Sequence, residues 1–166
     1  MTRSMTAGKR AVGFLLLYGI LFTACKSSTG PSGGSYYLRF NANGTLVNFT
    51  AQPSLLCAFG QSGSQYNALI TGFDATSNAS VQLFDGTPIA QKSYSGYTII
   101  GTAFVGVLLT YQDATGVVYS SGSGANTGTA TITQLTATTV TGTFTGTLVA
   151  NGHPNLAVSN GQFYVK

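Results

Sequence analysis

Glutamate and tryptophan are absent from this 166-residue chain, histidine occurs once, cysteine twice and aspartate three times. Each scarcity closes a class of chemistry. Acid–base catalysis needs two tuned groups within reach of one substrate. Here the aspartates stand apart at 74, 85 and 113, and the one histidine, His153, lies in the turn-like Asn-Gly-His-Pro. The chain therefore reads as non-enzymatic, with a hydrolase assembled from His153, one aspartate and a serine as a minor alternative. No cofactor and no metal centre are expected. Asp74, Asp85 and Asp113 sit in GFDATSN, LFDGT and YQDATG, which lack the D-x-D spacing of a calcium loop and suit turn formation.

Two glycine-rich stretches imitate functional motifs without their context. GPSGG at 30–34 matches G-x-S-x-G, but a nucleophile elbow joins a strand to a helix. GSGANTG at 122–128 misses the G-x-G-x-x-G spacing and runs into a strand pattern instead of a helix N-terminus. Without tryptophan, the aromatic candidates for stacking on sugars are Tyr36, Tyr37, Tyr94, Tyr97, Tyr111 and Tyr119, which serve equally well as packing residues.

Charge is scarce as well: 6% of residues, against about 25% in an ordinary soluble protein. The formal net charge of +4 comes mostly from Arg3, Lys9 and Arg10. From residue 25 onward, Lys26, Arg39, Lys92 and Lys166 oppose the three aspartates, four minus three, leaving about +1. A nucleic-acid partner loses its electrostatic basis once those first residues are set aside.

Directly after the three cations comes the apolar run AVGFLLLYGILFTA at 11–24, ending in small residues next to Cys25. A bilayer-spanning helix needs about 20 apolar residues, so this run reads as an export signal. LFTAC at 21–25 resembles the lipobox of bacterial lipoproteins, and LFTACK the version found in Bacteroidota; Phe22 stands where leucine is commonest. The resemblance implies cleavage before Cys25, diacylglycerol on its thiol and a membrane anchor, since each buried methylene contributes about 0.8 kcal/mol. The implied organisation is a signal peptide at 1–24, lipidated Cys25 with a Ser/Gly/Pro tether to 34, and a single domain at 35–166. The implied location is the cell envelope, anchored in the outer membrane. Acidic residues that often follow the cysteine in surface-exported lipoproteins are missing, which leaves the periplasmic and cell-surface sides both open.

The domain sequence alternates short β-branched and aromatic runs with Gly/Asn/Ser punctuation. Strands are expected near 36–41, 45–50, 54–59, 66–73, 80–85, 97–111, 117–120, 128–135, 138–150 and 156–165, with hairpin turns at Asn43-Gly44, Ser77-Asn78, Ala114-Thr115-Gly116 and Asn151-Gly152. The fold class is all-β: an antiparallel β-sandwich or small β-barrel of roughly 8–10 short strands. A membrane-spanning barrel is disfavoured, because glycines occupy positions where a lipid-facing strand needs large apolar side chains. YYLRFNANGTLVNFT, VTGTFTG and SNGQFYV resemble landmarks of small all-β domains of Bacteroidota lipoproteins, a resemblance that implies fold and no activity. Gln162 stands where an acidic residue is expected in the closing landmark.

Threonine marks every second position in TVTGTFTGTLV: Thr139, Thr141, Thr143, Thr145 and Thr147, with Thr129, Thr131 and Thr133 on the preceding strand. Only the intervening Val140, Gly142, Phe144, Gly146 and Leu148, with Gly128, Ala130 and Ile132, can supply a core. The threonines are thus the hydrated face and the candidate binding surface, with a glycan as a conceivable ligand. Cys57, in LLCAF, is expected as a buried thiol. The functional expectation is a lipid-anchored, non-catalytic envelope domain binding a protein partner or an extracellular polymer, with a lipocalin-like small-ligand carrier as the alternative. Replacing Cys25 by alanine is expected to abolish incorporation of labelled fatty acid and move the protein into the soluble fraction on cell fractionation; unchanged membrane retention contradicts the anchor.

Overall fold

The computed structural model describes residues 36–50, 54–101, 103–122 and 127–166, together with the backbone of 21–24. Cys25 and the tether at 26–34 lie outside the described residues. Among the described residues thirteen antiparallel strands, numbered along the chain, form two sheets, and no helix occurs. The first sheet is built from β1 (Leu21–Ala24), β4 (Leu55–Ser62), β5 (Gln65–Phe73), β6 (Asn78–Asp85), β9 (Ala103–Gln112) and β10 (Val118–Ser120) in that order, with β8 (Tyr97–Ile100) also paired to β9. The second runs β3 (Thr45–Phe49), β2 (Tyr37–Ala42), β13 (Leu156–Val165), β12 (Val140–Leu148), β11 (Thr129–Leu135), β7 (Ser93–Ser95). The sheets do not close on each other, so the architecture is a sandwich and the barrel alternative is set aside.

Turn chemistry explains the hairpins that alternation alone cannot place. Asn43 and Gly44 both have positive φ, 48° and 88°, the conformation of a two-residue type I′ turn. The Asn43 carboxamide also accepts from the Ala157 amide at 2.8 Å, tying this turn to β13. The run 97–111, expected as one strand, is a hairpin of β8 and β9. The turn signal there is Gly101 alone, at φ 64°, inside a run of apolar and β-branched residues that disguises it. β7 has no counterpart among the expected strands; three residues with one buried tyrosine give too short an alternation to register.

The packing of the sheets follows from which residues meet. Leu135 and Phe49 lie toward the same end of the second sheet: Leu135↔Val140 and Val140↔Val165 lead across it to β13, and two residues back along β13 the pairings Phe163↔Leu38 and Leu38↔Phe49 complete the crossing. Across the interior, Leu135 shares a cleft with Phe59 and Tyr66, whereas Phe49 covers Gly72. Those partners are strung along β4 and β5. A row running across one sheet therefore lies along the strands of the other, which is orthogonal packing. The corner is turned at Gly96, where the chain leaves β7 in the second sheet and enters β8 in the first; its amide donates to the Gly128 carbonyl at 2.9 Å, and its carbonyl accepts from Val107.

The buried side chains are those that alternation predicts: Val140, Phe144 and Leu148 from β12, Ala130 and Ile132 from β11, with Leu38, Phe40, Phe163, Ile70, Leu83 and Val107 completing the centre. Each such large side chain contributes on the order of 1.5–3 kcal/mol. Between β12 and β13 the pairing is reciprocal: Gly142 stands opposite Phe163, and Phe144 opposite Gly161. Each ring lies over the glycine facing it, and a Cβ at Gly142 would collide with the Phe163 ring and the Thr131 carbonyl. Gly142→Ala is therefore expected to destabilise the domain by about 1–3 kcal/mol through overpacking. Gly86→Ala, which meets nothing within 4 Å, should stay within about 0.5 kcal/mol of the parent; denaturant titration of both variants makes the comparison.

Candidate functional site

The strand period places on the outer face of the second sheet whatever the core does not use. Register then decides which of those residues become neighbours. Ser93 pairs with Thr131, Thr131 with Thr143, Thr143 with Gln162, Gln162 with Arg39 and Arg39 with Asn48. One continuous polar file thus crosses all six strands. Because directly opposed residues share a face and approach closely, the file is a surface ladder of hydroxyl, amide and guanidinium groups. The Ser93 and Thr131 hydroxyls are 2.7 Å apart. Arg39 donates from Nε and Nη2 to Gln162 Oε1 at 3.1 and 2.7 Å.

An aromatic row flanks the file. Gln134 pairs with Thr141, Thr141 with Tyr164 and Tyr164 with Tyr37. The Tyr37 and Tyr164 rings meet edge-on at 6.3 Å, and Tyr36 packs against Tyr164 at 5.1 Å. The Arg39 guanidinium carbon sits 4.5 Å from the centroid of the Tyr37 ring, a cation–π contact. Gln162 accepts from Arg39 without neutralising it. The face consequently keeps the Arg39 charge among hydroxyls, amides and phenols.

The threonines divide by role. Thr129 faces Thr145 and Thr131 faces Thr143 across β11 and β12, and these four form the regular part of the ladder. Thr133 falls at a bulge between Ile132 and Gln134, and its hydroxyl donates to the Thr141 carbonyl at 3.2 Å. Thr139 belongs to the tight turn with Thr136, their hydroxyls 2.8 Å apart. Thr147 is joined through its backbone to Thr127, whose hydroxyl both donates to the Thr147 carbonyl and accepts from its amide, each at 3.0 Å. Sequence reasoning misses Arg39, Gln162 and Tyr164 as surface partners because 123 residues separate Arg39 from Gln162 and no local spacing signals their meeting.

Several tyrosine candidates lie elsewhere. Tyr94, Tyr111 and Tyr119 are buried in the core and present no stacking surface. Tyr97 stacks on Phe104 at 5.4 Å on the other sheet, beside Phe84, with Gly106 paired between Phe84 and Tyr97. Cys57 is buried among the core residues.

The aspartates cap turns. Asp74 accepts the Thr76 and Ser77 amides at 2.8 and 2.7 Å, and those hydrogen bonds hold its carboxyl at a pKa of about 2. Asp113 accepts the Thr115 hydroxyl at 2.6 Å and the Val117 amide at 3.0 Å, which lowers its pKa. Burial pushes the Asp85 carboxyl up, but hydrogen bonds from Lys92 and Thr87 outweigh it and the net shift is downward. His153 lies exposed in its turn with its ring against Tyr119, centroids 6.3 Å apart. Among the described residues no three of His, Cys, Asp and Glu lie close enough to hold a metal ion.

Two hollows bear on ligand size. Beside Phe40, Leu109 and Phe144 lies a hollow of about 10 Å³. At one corner, an open cleft of about 280 Å³ is lined by Phe59, Tyr66, Pro88, Ile89 and Leu135, among others. Comparison with protein-family models, with curated proteins and with solved structures gives no match for this chain.

The Asp74 turn generates a pH prediction. A carboxyl whose folded pKa lies below its unfolded value near 3.9 stabilises the fold above that unfolded value, and the contribution is lost as pH falls toward about 2. Thermal melts of the parent should therefore show a decline between pH 4 and pH 2 (approximate bounds from these two pKa values) that is shallower in Asp74→Asn; identical slopes refute the assignment.

Proposed function

We propose that this chain is a lipid-anchored, non-catalytic domain of the bacterial cell envelope that binds an extracellular polymer rich in hydroxyl groups. The polymer meets the outer face of the six-stranded sheet. The observation that carries the reading is the polar file from Ser93 to Asn48 spanning every strand of that sheet, flanked by the Tyr37 and Tyr164 rings. A sheet face of this kind suits an extended chain of sugars. Hydroxyl and amide groups at strand spacing exchange hydrogen bonds with successive residues of the polymer, and the phenol rings offer apolar edges for the sugar faces. Arg39 adds a donor fork that favours an acidic group on the polymer.

The anchor part of the reading rests on LFTACK and Cys25. The scarcity of charge and the capping roles of the aspartates support a binding role over a hydrolytic one. The small-ligand carrier is the weaker reading: the hollow beside Phe40 and Phe144 holds about 10 Å³, far below the size of a small-molecule site.

Affinity electrophoresis of the full chain in gels containing neutral or acidic polysaccharides tests the proposal. Retardation is expected in at least one acidic polysaccharide, reduced about tenfold in apparent affinity by Tyr164→Ala or Arg39→Ala, a loss of about 1.4 kcal/mol. Retardation that both variants keep in full places binding elsewhere, and no retardation in any polysaccharide removes the polymer reading.

A further inference from the structure

The first sheet ends in a strand whose composition invites pairing. β4 spans eight residues, LLCAFGQS, with no charge and no proline, the features that ordinarily blunt an exposed edge. β7 and β10, at two other margins, have three residues each, and β3 has five. Among the described residues the β4 edge is covered only by β1, a strand from outside the domain, in the register Leu21↔Gln61, Phe22↔Gly60, Thr23↔Phe59, Ala24↔Ala58. Those four residues directly precede Cys25, so cleavage there removes the strand that covers the edge.

A second feature adjoins the same edge. Phe59 and Gly60 of β4 line the corner cleft together with Ile89 and Leu135. Leu55 and Cys57 alternate with Phe59 on the inner side of the strand, so a residue paired with Phe59 projects toward that side as well. Backbone pairing along β4 supplies affinity, and the apolar cleft beside it selects a side chain: the two elements of recognition by strand addition.

We propose that the outer edge of β4 is an acceptor site for an extended polypeptide strand. In the full-length chain β1 occupies it; after cleavage an uncharged, apolar segment of a partner polypeptide takes the same register, with one side chain in the corner cleft. The release step rests on the lipoprotein reading, whereas strand acceptance does not.

Amide hydrogen exchange read by mass spectrometry separates the two. In the uncleaved full chain, Thr23→Pro should speed exchange across residues 58–61 about tenfold, because proline cannot pair within a strand. In protein purified from cell membranes, intact mass reports whether the chain starts at an acylated Cys25. A synthetic peptide of residues 19–24, GILFTA, added in excess to that cleaved form should slow exchange at 58–61 by about tenfold, and the same peptide with proline in place of Thr23 should not. Unchanged exchange in the Thr23→Pro chain, or peptide protection that falls on residues 45–49 of β3 instead, overturns the acceptor site. An intact mass that retains residues 1–24 overturns the release step alone, and the full-chain comparison still decides strand acceptance.

Discussion

The reciprocal pairing of phenylalanine with glycine across β12 and β13 is the contact on which this sandwich depends. Phe163 lies over Gly142 and Phe144 over Gly161, with the two rings stacked at 6.3 Å. Phe144 then reaches Phe40, and Phe40 meets Tyr111 of the opposite sheet edge-on at 5.3 Å. A chain of rings thereby joins the sheets, each pair adding about 0.5–1.5 kcal/mol beyond its buried area. Without side chains at the two glycines, the rings can lie flat against their own sheet and leave space above for the second. Phe49 over Gly72 repeats the device between the sheets.

That core frees the opposite face of the second sheet for another purpose. Strand geometry sends alternate residues outward whether or not they have a role, and threonine is a residue that costs little there: its branching suits the extended backbone while its hydroxyl stays hydrated. A threonine row by itself is evidence of fold. What makes the face distinctive is the company the row keeps once the strands are paired, namely Gln162, Arg39, Tyr37 and Tyr164. The charge that Arg39 keeps is notable in a domain with so few ions. The aspartates, by contrast, are committed to turns or to Lys92, which organises loops without leaving a free carboxylate on the sheet.

Much of this architecture is legible in the order of residues. Alternation identifies the buried residues of β11 and β12, because a two-residue period admits only one assignment once glycine and threonine occupy alternate positions. Asn43-Gly44 announces its turn through the positive φ that both residues tolerate. The β8–β9 turn stays hidden because a lone glycine between apolar and β-branched residues carries the same local signal as a bulge within one strand. Tyr94, Tyr111 and Tyr119 are indistinguishable by sequence from surface tyrosines, since a phenol is at home either in a core or at a surface and only the neighbouring sheet settles which.

Local chemistry, then, was decided by sequence alone: which face of each strand is dry, where most hairpins turn, and the apolar run that precedes Cys25. Tertiary structure decided everything that depends on residues far apart in the chain. The choice of a sandwich over a barrel, the steep crossing of the two sheets, the file from Ser93 to Asn48 and the cover of β4 by β1 all follow from register and strand order. Those properties arise from hydrogen bonds between strands and from the fit of rings over glycines, and neither leaves a trace in the spacing of residues along any single strand.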